Sequence, residues 1–162
     1  MVEERKNKTK LIVVKDYGNQ GKTTLIWMIF LELVRLGANV ISFYDTKTGE
    51  TTYPTILPRK DDRNDFEAIL TWEGLSIVIV SYGDVYKHVN DKLAEVMPTK
   101  PDYVICAASI RYSAHTTWNL FEETYTNIDY DRVCFWTEHA VNENDEELVK
   151  RPTVEAIVKY MS

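Results

Sequence analysis

Short apolar runs alternate along the chain with stretches of helical periodicity, and this alternation restricts the fold more than any other feature. The run at residues 10–15 is apolar through its centre, as expected of a strand buried on both faces. Apolar side chains then recur at helical spacing over residues 23–36, and Gly37 supplies a helix stop. The other predicted strands are residues 39–44, 66–72, 75–81, 103–108 and 133–136. Strands that alternate with helices predict an α/β fold with a doubly wound, mostly parallel sheet in three α/β/α layers.

One part of the chain departs from this parallel pattern. Residues 66–72 and 75–81 are strand-like runs that only Glu73 and Gly74 separate, which predicts an antiparallel β-hairpin. The first run alternates apolar and polar residues and is therefore predicted at the sheet edge, whereas the second is apolar throughout and is predicted at its centre. Residues 46–64, which precede the hairpin, show no period and are expected to form a long surface loop.

Helices are also predicted in the second half of the chain. One covers residues 85–96 and ends at Pro98, one carries Trp118, Phe121 and Tyr125 on a single face, and one closes the chain over residues 152–161. The sequence contains no internal repeat and no Pro- or Gly-rich linker. Residues 1–162 are therefore expected to form one domain.

Composition narrows the classes of function. The 162 residues are 44% apolar and 27% charged, which is typical of globular proteins. The formal net charge of -6 disfavours a nucleic-acid partner, and no apolar stretch is long enough to predict a membrane partner. The polar start of the sequence lacks the apolar core of a signal peptide, so the expected location is cytoplasmic. Cys106 and Cys134 lie in strand-like runs and are expected to be buried, reduced thiols.

A glycine-containing segment between the first strand and the first helix carries the chemistry. From Asp16 to Thr23 it reads Asp-Tyr-Gly-Asn-Gln-Gly-Lys-Thr, which fits the pattern G-x-x-x-x-G-K-[ST] except at its first position. Glycines allow the backbone to curl so that several N–H groups point at phosphate oxygens, and the positive end of the following helix adds to this field. The alternative is a simple strand-to-helix turn in which Thr23 caps the helix.

These residues resemble the phosphate loop of the P-loop NTPase superfamily. The resemblance implies that ATP and Mg²⁺ bind to seven consecutive residues, Gly18, Asn19, Gln20, Gly21, Lys22, Thr23 and Thr24. It implies that Lys22 reaches the β- and γ-phosphates, that Thr23 ligates Mg²⁺ and that Thr24 flanks the α-phosphate.

No subfamily follows from the resemblance. The guanine-reading motif of GTPases is absent at Phe135–Glu138, and Tyr17 stands where the MinD and ParA type ATPases carry a lysine. Asp16, in place of the first glycine, sets a carboxylate near the bound phosphates. Because it would repel them unless it points away or contacts the metal indirectly, Asp16 weighs against tight binding.

Three residues outside the loop are candidates for catalysis, each with an alternative. Ser81 stands where a magnesium-binding acid is expected, and Asp84 follows three residues later as either a second metal residue or a helix cap. Asp45 ends the second strand as either an acid on the acceptor side or a turn residue. Arg111 follows the strand at residues 103–108 and either stabilises charge on a transferred phosphoryl group or is solvated.

Three functions fit these residues. The first is a small kinase-like phosphotransferase acting on an unknown small-molecule acceptor. The second is a regulatory ATPase coupled to a protein partner, in which nucleotide state reshapes a loop such as residues 46–64. The third is a nucleotide-binding module without catalysis. The loop at residues 46–64 contains three basic residues, Arg59, Lys60 and Arg63, which are either a closing lid or a solvated charge run.

Overall fold

The computed structural model describes residues 8–16, 21–83, 85–110, 116–125, 130–137 and 145–162. Its strands are β1 (Lys10–Asp16), β2 (Asn39–Asp45), β3 (Phe66–Trp72), β4 (Leu75–Val80), β5 (Tyr103–Ser109) and β6 (Asp131–Trp136). Its helices are α1 (Lys22–Arg35), α2 (Tyr86–Val96) and α3 (Glu146–Met161). Shorter helical turns cover Lys60–Asp62, Met97–Thr99 and Leu120–Thr124.

The described strands form one mixed sheet in the order β2-β3-β4-β5-β1-β6. Strand β1 lies between β5 and β6 and is parallel to both, and β5 is also parallel to β4. Strand β3 is antiparallel to both of its neighbours, β2 and β4, so it runs against the direction of the other described strands. The mostly parallel α/β sheet and the β3–β4 hairpin are confirmed.

Helices cover both faces of this sheet. Alternate residues of β1 serve the two sides: Ile12 and Val14 pack with α1 and α3, whereas Leu11 and Val13 pack with α2 and the Leu120–Thr124 turn. This double-sided burial is why β1 and β5 are continuously apolar in sequence. The arrangement is consistent with three α/β/α layers.

An aromatic cluster fills the first of these two cores. The Trp27 and Phe66 rings lie 4.2 Å apart between centroids, and Phe30 and Phe43 lie 5.6 Å apart. These rings come from α1, β2 and β3, so the cluster joins the hairpin to the helix that follows β1. Aromatic pairs in such offset or tilted arrangements each contribute about 0.5–1.5 kcal/mol beyond their area burial.

The predicted edge position of β3 is wrong, because β2 is the outer strand on that side. Strand β3 alternates for a different reason. Its Phe66, Ala68, Leu70 and Trp72 are buried in the aromatic core, while the opposite face, including Ile69, is only partly covered. The alternation of apolar and polar residues in β3 therefore indicates a strand that is buried on one face of the sheet, and it does not indicate an edge strand.

Two predicted helices differ from the structure. Helix α3 begins at Glu146, six residues before the predicted start, and contains Pro152 in its interior. Acidic residues in its first turn, Glu146 and Glu147, favour that earlier start because they face the positive helix end. Within residues 116–125 the predicted amphipathic helix is a short, wide turn over Leu120–Thr124, although Phe121 is buried as expected.

Two further expectations concern the cysteines and the membrane. Cys106 and Cys134 are free thiols, the first buried and the second half-buried, and burial raises the pKa of Cys106 above its ordinary value. Buried, reduced thiols were expected at both positions, and the structure confirms burial for Cys106, whereas Cys134 is only partly covered. Within the described residues no helix has the length and apolar character needed to cross a bilayer.

Candidate functional site

The carboxyl ends of β1 and β5 lie side by side at one end of the sheet. Asp16 at the end of β1 pairs with Ser109 at the end of β5. The chain leaves β1 towards α1 on one face, whereas after β5 it passes to the Leu120–Thr124 turn on the other. Open α/β sheets bind ligands at such a divergence, because the two departing connections leave a gap between them.

Helix α1 starts after β1 with a glycine in a left-handed conformation. Gly21 is its N-cap, with φ of 90°, a left-handed conformation that favours glycine. A Cβ atom at this position would lie 3.0 Å from Nζ of Lys150 and 3.1 Å from its Cε. The backbone conformation therefore favours glycine here, and any larger residue would also push the end of the Lys150 side chain aside by a few tenths of an ångström. The alternative in which Thr23 caps the helix is not observed.

Several predicted residues lie outside the described part of the chain. These are Gly18, Asn19 and Gln20 of the loop, together with Asp84 and Arg111. The described candidates are Gly21, Lys22, Thr23, Thr24 and Asp45, and the first four of these occupy the N-cap and first turn of α1.

Thr23 lies in a hydrogen-bonded chain that links α1 to β3 and β4. Its hydroxyl donates to Oδ1 of Asp65 over 3.1 Å, and the hydroxyl of Ser81 donates to the same oxygen over 3.1 Å. Oγ of Ser81 in turn accepts the backbone N–H of Phe66 at 2.8 Å. The Asp65 carboxylate thus links two residues. One is Thr23, in the segment that resembles a phosphate loop, and the other is Ser81, which stands where the resemblance implies a magnesium-binding acid.

Asp65 is the site residue that sequence reasoning missed. The predicted candidates outside residues 18–24 all follow strands, whereas Asp65 precedes β3. Because β3 runs in the opposite direction, its amino end lies at the same sheet edge as the carboxyl end of β4. The predicted hairpin contained the signal, since pairing residues 66–72 with 75–81 sets Asp65 beside Ser81.

Thr24 has a different partner. Nη1 of Arg63 donates to Oγ1 of Thr24 over 3.3 Å and to Oε2 of Glu146 over 2.8 Å. Nε of the same guanidinium donates to the carbonyl oxygen of Pro58 over 2.7 Å. The Arg63 and Glu146 side chains are only 11% and 13% exposed. Arg63 is therefore packed against the start of α1 and is not part of a solvated charge run, whereas Arg59 and Lys60 are exposed as such a run predicts. The closing-lid role of these residues stays a prediction.

Two lysines are buried beside this turn. Lys22 is 5% exposed and Lys150 is 2% exposed. Nζ of Lys150 lies 3.8 Å from Oε1 of Glu146 and contacts the space above Gly21. Burial of a lysine costs several kcal/mol, on the order of 5, unless anions or dipoles face it, so two buried lysines at one helix start mark an unusual electrostatic environment. Lys150 was missed because α3 was expected to start only at residue 152.

Asp45 organises its own loop. Its Oδ1 accepts the backbone N–H groups of Lys47 at 2.9 Å and Thr48 at 3.0 Å, and its Oδ2 accepts Nδ2 of Asn64 at 3.1 Å. Burial acts to raise the pKa of this carboxyl, but the hydrogen bonds from Thr48, Asn64 and Lys47 outweigh it and hold the pKa below its ordinary value. Asp45 thus fastens the two ends of residues 46–64, and its acceptor-side role stays a prediction.

An open polar cleft of about 560 Å³ adjoins Asp65 on the side away from β1. Across it, Glu67 accepts the Tyr82 hydroxyl at 2.7 Å and Nζ of Lys92 at 3.0 Å. Burial, followed by the hydrogen bond to Glu67, raises the pKa of Tyr82 above its ordinary value. The lining residues are Thr46, Asp65, Glu67, Tyr82, His88, Asp91, Lys92 and Glu95.

The described residues contain no group of three or more His, Cys, Asp or Glu side chains arranged to hold a metal ion. A magnesium ion bound with nucleotide needs no such group, since phosphate oxygens and waters complete its octahedral shell around one or two protein oxygens.

Comparison of the chain with protein-family models, with curated proteins and with solved structures finds no match in any of the three.

Proposed function

We propose that this chain binds ATP with Mg²⁺ through residues 18–24 and acts as a small kinase-like phosphotransferase on an unknown acceptor. The observation that carries the proposal is the pair of hydrogen bonds that Thr23 and Ser81 donate to Asp65. This pair supports a cation site at the start of α1, next to the segment with the phosphate-loop sequence.

The direction of the Thr23 hydrogen bond supports this cation site. A threonine hydroxyl has one hydrogen to donate and two lone pairs to accept with. Thr23 donates that hydrogen to Asp65, so its lone pairs are directed elsewhere and suit a cation. Thr23 would hold Mg²⁺ directly and the Asp65 carboxylate would hold it through water, the arrangement that hard cations prefer. Bound Mg²⁺ supplies charge neutralisation on the β- and γ-phosphates.

The phosphates have a matching set of groups. Lys22 is the cation for the terminal phosphates, and the N–H groups of residues 18–24 with the positive end of α1 form the cradle. Asp84 and Arg111 keep their predicted roles, Asp84 at the metal and Arg111 on the transferred phosphoryl group. Catalysis of this kind relies on positioning and electrostatics, so no covalent intermediate on the protein is required.

The cleft beside Asp65 favours transfer to an acceptor over hydrolysis alone. A phosphotransferase needs space for a second substrate next to its metal-binding acid, and the cleft has about 560 Å³ there. Thr46 borders it, and Asp45 determines the position of Thr46 through the hydrogen bonds of its own turn. In this proposal Asp45 acts on the acceptor side by positioning residue 46.

A regulatory ATPase is the second candidate, and one observation favours it. The partners of Thr23 and Thr24 are Asp65 and Arg63, which lie directly after and at the end of residues 46–64. A change in the nucleotide is therefore transmitted directly to that loop, as a partner-coupled ATPase requires.

The first experiment is calorimetric titration of the protein with ATP in the presence and absence of Mg²⁺, and with ADP and GTP. We expect Mg²⁺ to strengthen ATP binding and Lys22→Ala to abolish it. Lys60→Ala is the matched control, because Lys60 is an exposed lysine of the nearby loop. Equal ATP affinity in Lys22→Ala and the wild type would refute the proposal.

Turnover then separates the three functions. A phosphotransferase consumes ATP faster when hydroxylated or amine-bearing acceptors are added. Slow hydrolysis that no small molecule accelerates but that a protein partner does would favour the regulatory ATPase. Binding without any turnover would leave the nucleotide-binding module.

A further inference from the structure

We propose that Arg63 is a positioning residue of the phosphate site, which orients the Thr24 hydroxyl so that its hydrogen points to a phosphate oxygen. This inference rests on the proposed nucleotide site and goes beyond it, since it assigns a role to a residue of the long loop and to an ion pair with α3.

The orientation of the Thr24 hydroxyl follows from the hydrogen-bonding capacity of arginine. A guanidinium group donates hydrogen bonds and accepts none, and it stays charged at every relevant pH. Nη1 of Arg63 therefore occupies a lone pair of Thr24, at 3.3 Å. The Thr24 hydrogen is left to donate, and no described residue accepts it. A hydroxyl polarised in this way suits an anion.

The hydroxyl groups of the neighbouring residues Thr23 and Thr24 are thus oriented to bind ligands of opposite charge. Thr23 gives its hydrogen to Asp65 and presents lone pairs, which suit a cation. Thr24 gives a lone pair to Arg63 and presents its hydrogen, which suits an anion. Residues 63 and 65 are both near the end of the same loop, two positions apart. A magnesium–phosphate pair has this same separation of charge, which is why the arrangement points to that ligand.

The guanidinium is held firmly enough to do this. Besides Thr24 it has Glu146 at 2.8 Å and the carbonyl of Pro58 at 2.7 Å, and the ion pair with Glu146 is mostly buried. An exposed surface pair contributes little to a fixed geometry, whereas charged hydrogen bonds in partly buried surroundings are stronger. Arg63 therefore has the fixed geometry that a positioning residue needs.

The test is a double-mutant cycle with Arg63→Gln and Thr24→Val, read by calorimetry with inorganic tripolyphosphate and with ATP. Each single variant is expected to weaken binding of both ligands about tenfold, which corresponds to about 1.4 kcal/mol. Since Arg63 acts through Thr24, the double variant binds no more weakly than Thr24→Val alone. The losses are the same with and without Mg²⁺, because Thr24 serves the anion.

Further variants show whether the loss of affinity has a merely structural cause. Arg59→Gln removes an exposed arginine of the same loop and leaves binding unchanged. Glu146→Gln replaces the ion pair by a neutral hydrogen-bond partner while Pro58 and Thr24 still accept from the guanidinium, so it lowers tripolyphosphate affinity much less than Arg63→Gln does. Arg63→Lys and the combined Arg63→Gln/Glu146→Gln variant avoid a lone buried carboxylate and remain usable if Arg63→Gln unfolds. Thermal melting of each variant establishes that it is folded.

Two results would overturn the inference. Losses that add in the double variant would mean that Arg63 acts independently of Thr24. A loss in Glu146→Gln equal to that in Arg63→Gln would mean that Arg63 only fastens the loop to α3. The proposed function fails separately, through Lys22→Ala: if that variant binds tripolyphosphate as the wild type does, the ligand binds away from the start of α1 and Arg63 has no phosphate to serve there.

Discussion

At the scale of single residues, one carboxylate oxygen of Asp65 accepts hydrogens from both Thr23 and Ser81. An amide in its place accepts more weakly and carries no charge for a magnesium–water shell. We expect Asp65→Asn to remove most of the Mg²⁺-dependent part of the ATP affinity, on the order of 2 kcal/mol. The Mg²⁺-independent affinity for tripolyphosphate changes little.

Calorimetric titrations of Asp65→Asn with ATP, at fixed pH and with or without Mg²⁺, measure this difference. Asp61→Asn is the control, since Asp61 is an exposed carboxylate of the same loop. If Asp65→Asn loses affinity equally in both conditions, Asp65 supports the fold of the site and not the cation.

Asp45 leads to a prediction about pH. Burial opposes ionisation of this carboxyl, but hydrogen bonds from Thr48, Asn64 and Lys47 lower its pKa below the ordinary value in the folded protein. A lowered pKa adds stability that is complete above the ordinary value and is lost as the pH falls through the folded value. Asp45→Asn should therefore be less stable than the wild type at pH 7, by about 1 kcal/mol.

The difference in stability between the wild type and Asp45→Asn should begin to shrink as the pH falls below about 4, where the carboxyl takes up its proton in the unfolded chain, and should continue to shrink until the folded protein is protonated at a lower pH. Urea denaturation of both proteins at pH 7 and at pH 3 measures it. A difference that stays the same at both values would show that the charge of Asp45 is unimportant for the loop.

At the scale of elements, the β3–β4 turn is not optimal for its conformation. Both central residues have positive φ, 51° at Glu73 and 80° at Gly74. A two-residue hairpin turn with two positive φ values prefers Asn-Gly, because asparagine tolerates the left-handed region better than glutamate. Glu73→Asn should stabilise the protein by about 0.5–1 kcal/mol.

The measurement is the free energy of unfolding in urea, compared with that of Glu73→Val. A β-branched residue at positive φ is strained, so the valine variant should be less stable than the wild type. If both variants change stability in the same direction, the turn does not have this conformation in solution.

Periodicity was enough to predict most elements but not the way they assemble. The buried strands, α1 and the hairpin follow from local patterns, since each needs only neighbouring residues to specify it. The partners of the site do not: Arg63 meets Thr24 across 39 residues of sequence and Glu146 across 83. Such contacts depend on strand order and on where a helix starts, which is why Asp65 and Lys150 were missed and the contacts of Arg63 were not predicted.

At the scale of the whole molecule, the proposed function implies that ligand binding and folding are linked. The site joins α1, the end of the long loop, β4 and α3, so a ligand that fills it holds several parts of the chain together. A ligand that binds only the folded state stabilises it by about 2.7 kcal/mol at a concentration 100 times its Kd. We expect MgATP to raise the Tm of the wild type in a concentration-dependent way.

Thermal melts with increasing MgATP test this linkage. Lys22→Ala should melt at the same temperature with and without nucleotide, whereas Lys60→Ala should respond as the wild type does. A shift of equal size in Lys22→Ala would place the binding site elsewhere on the molecule.

The reversed direction of β3 has a practical consequence for protein engineering. Residues 46–64 leave and re-enter the sheet at the same edge, and their ends are fastened by the Asp45–Asn64 hydrogen bond and by Thr46, whose N–H and hydroxyl both bond to the Asp65 carbonyl. Thr51 and Thr52 lie exposed between these fastened ends and ahead of Tyr53, which packs on Phe30. Doubling the length of such a loop costs only about 0.6 kcal/mol in closure entropy. A peptide tag or fluorophore inserted between Thr51 and Thr52 would therefore leave the sheet intact while reporting on the nucleotide site.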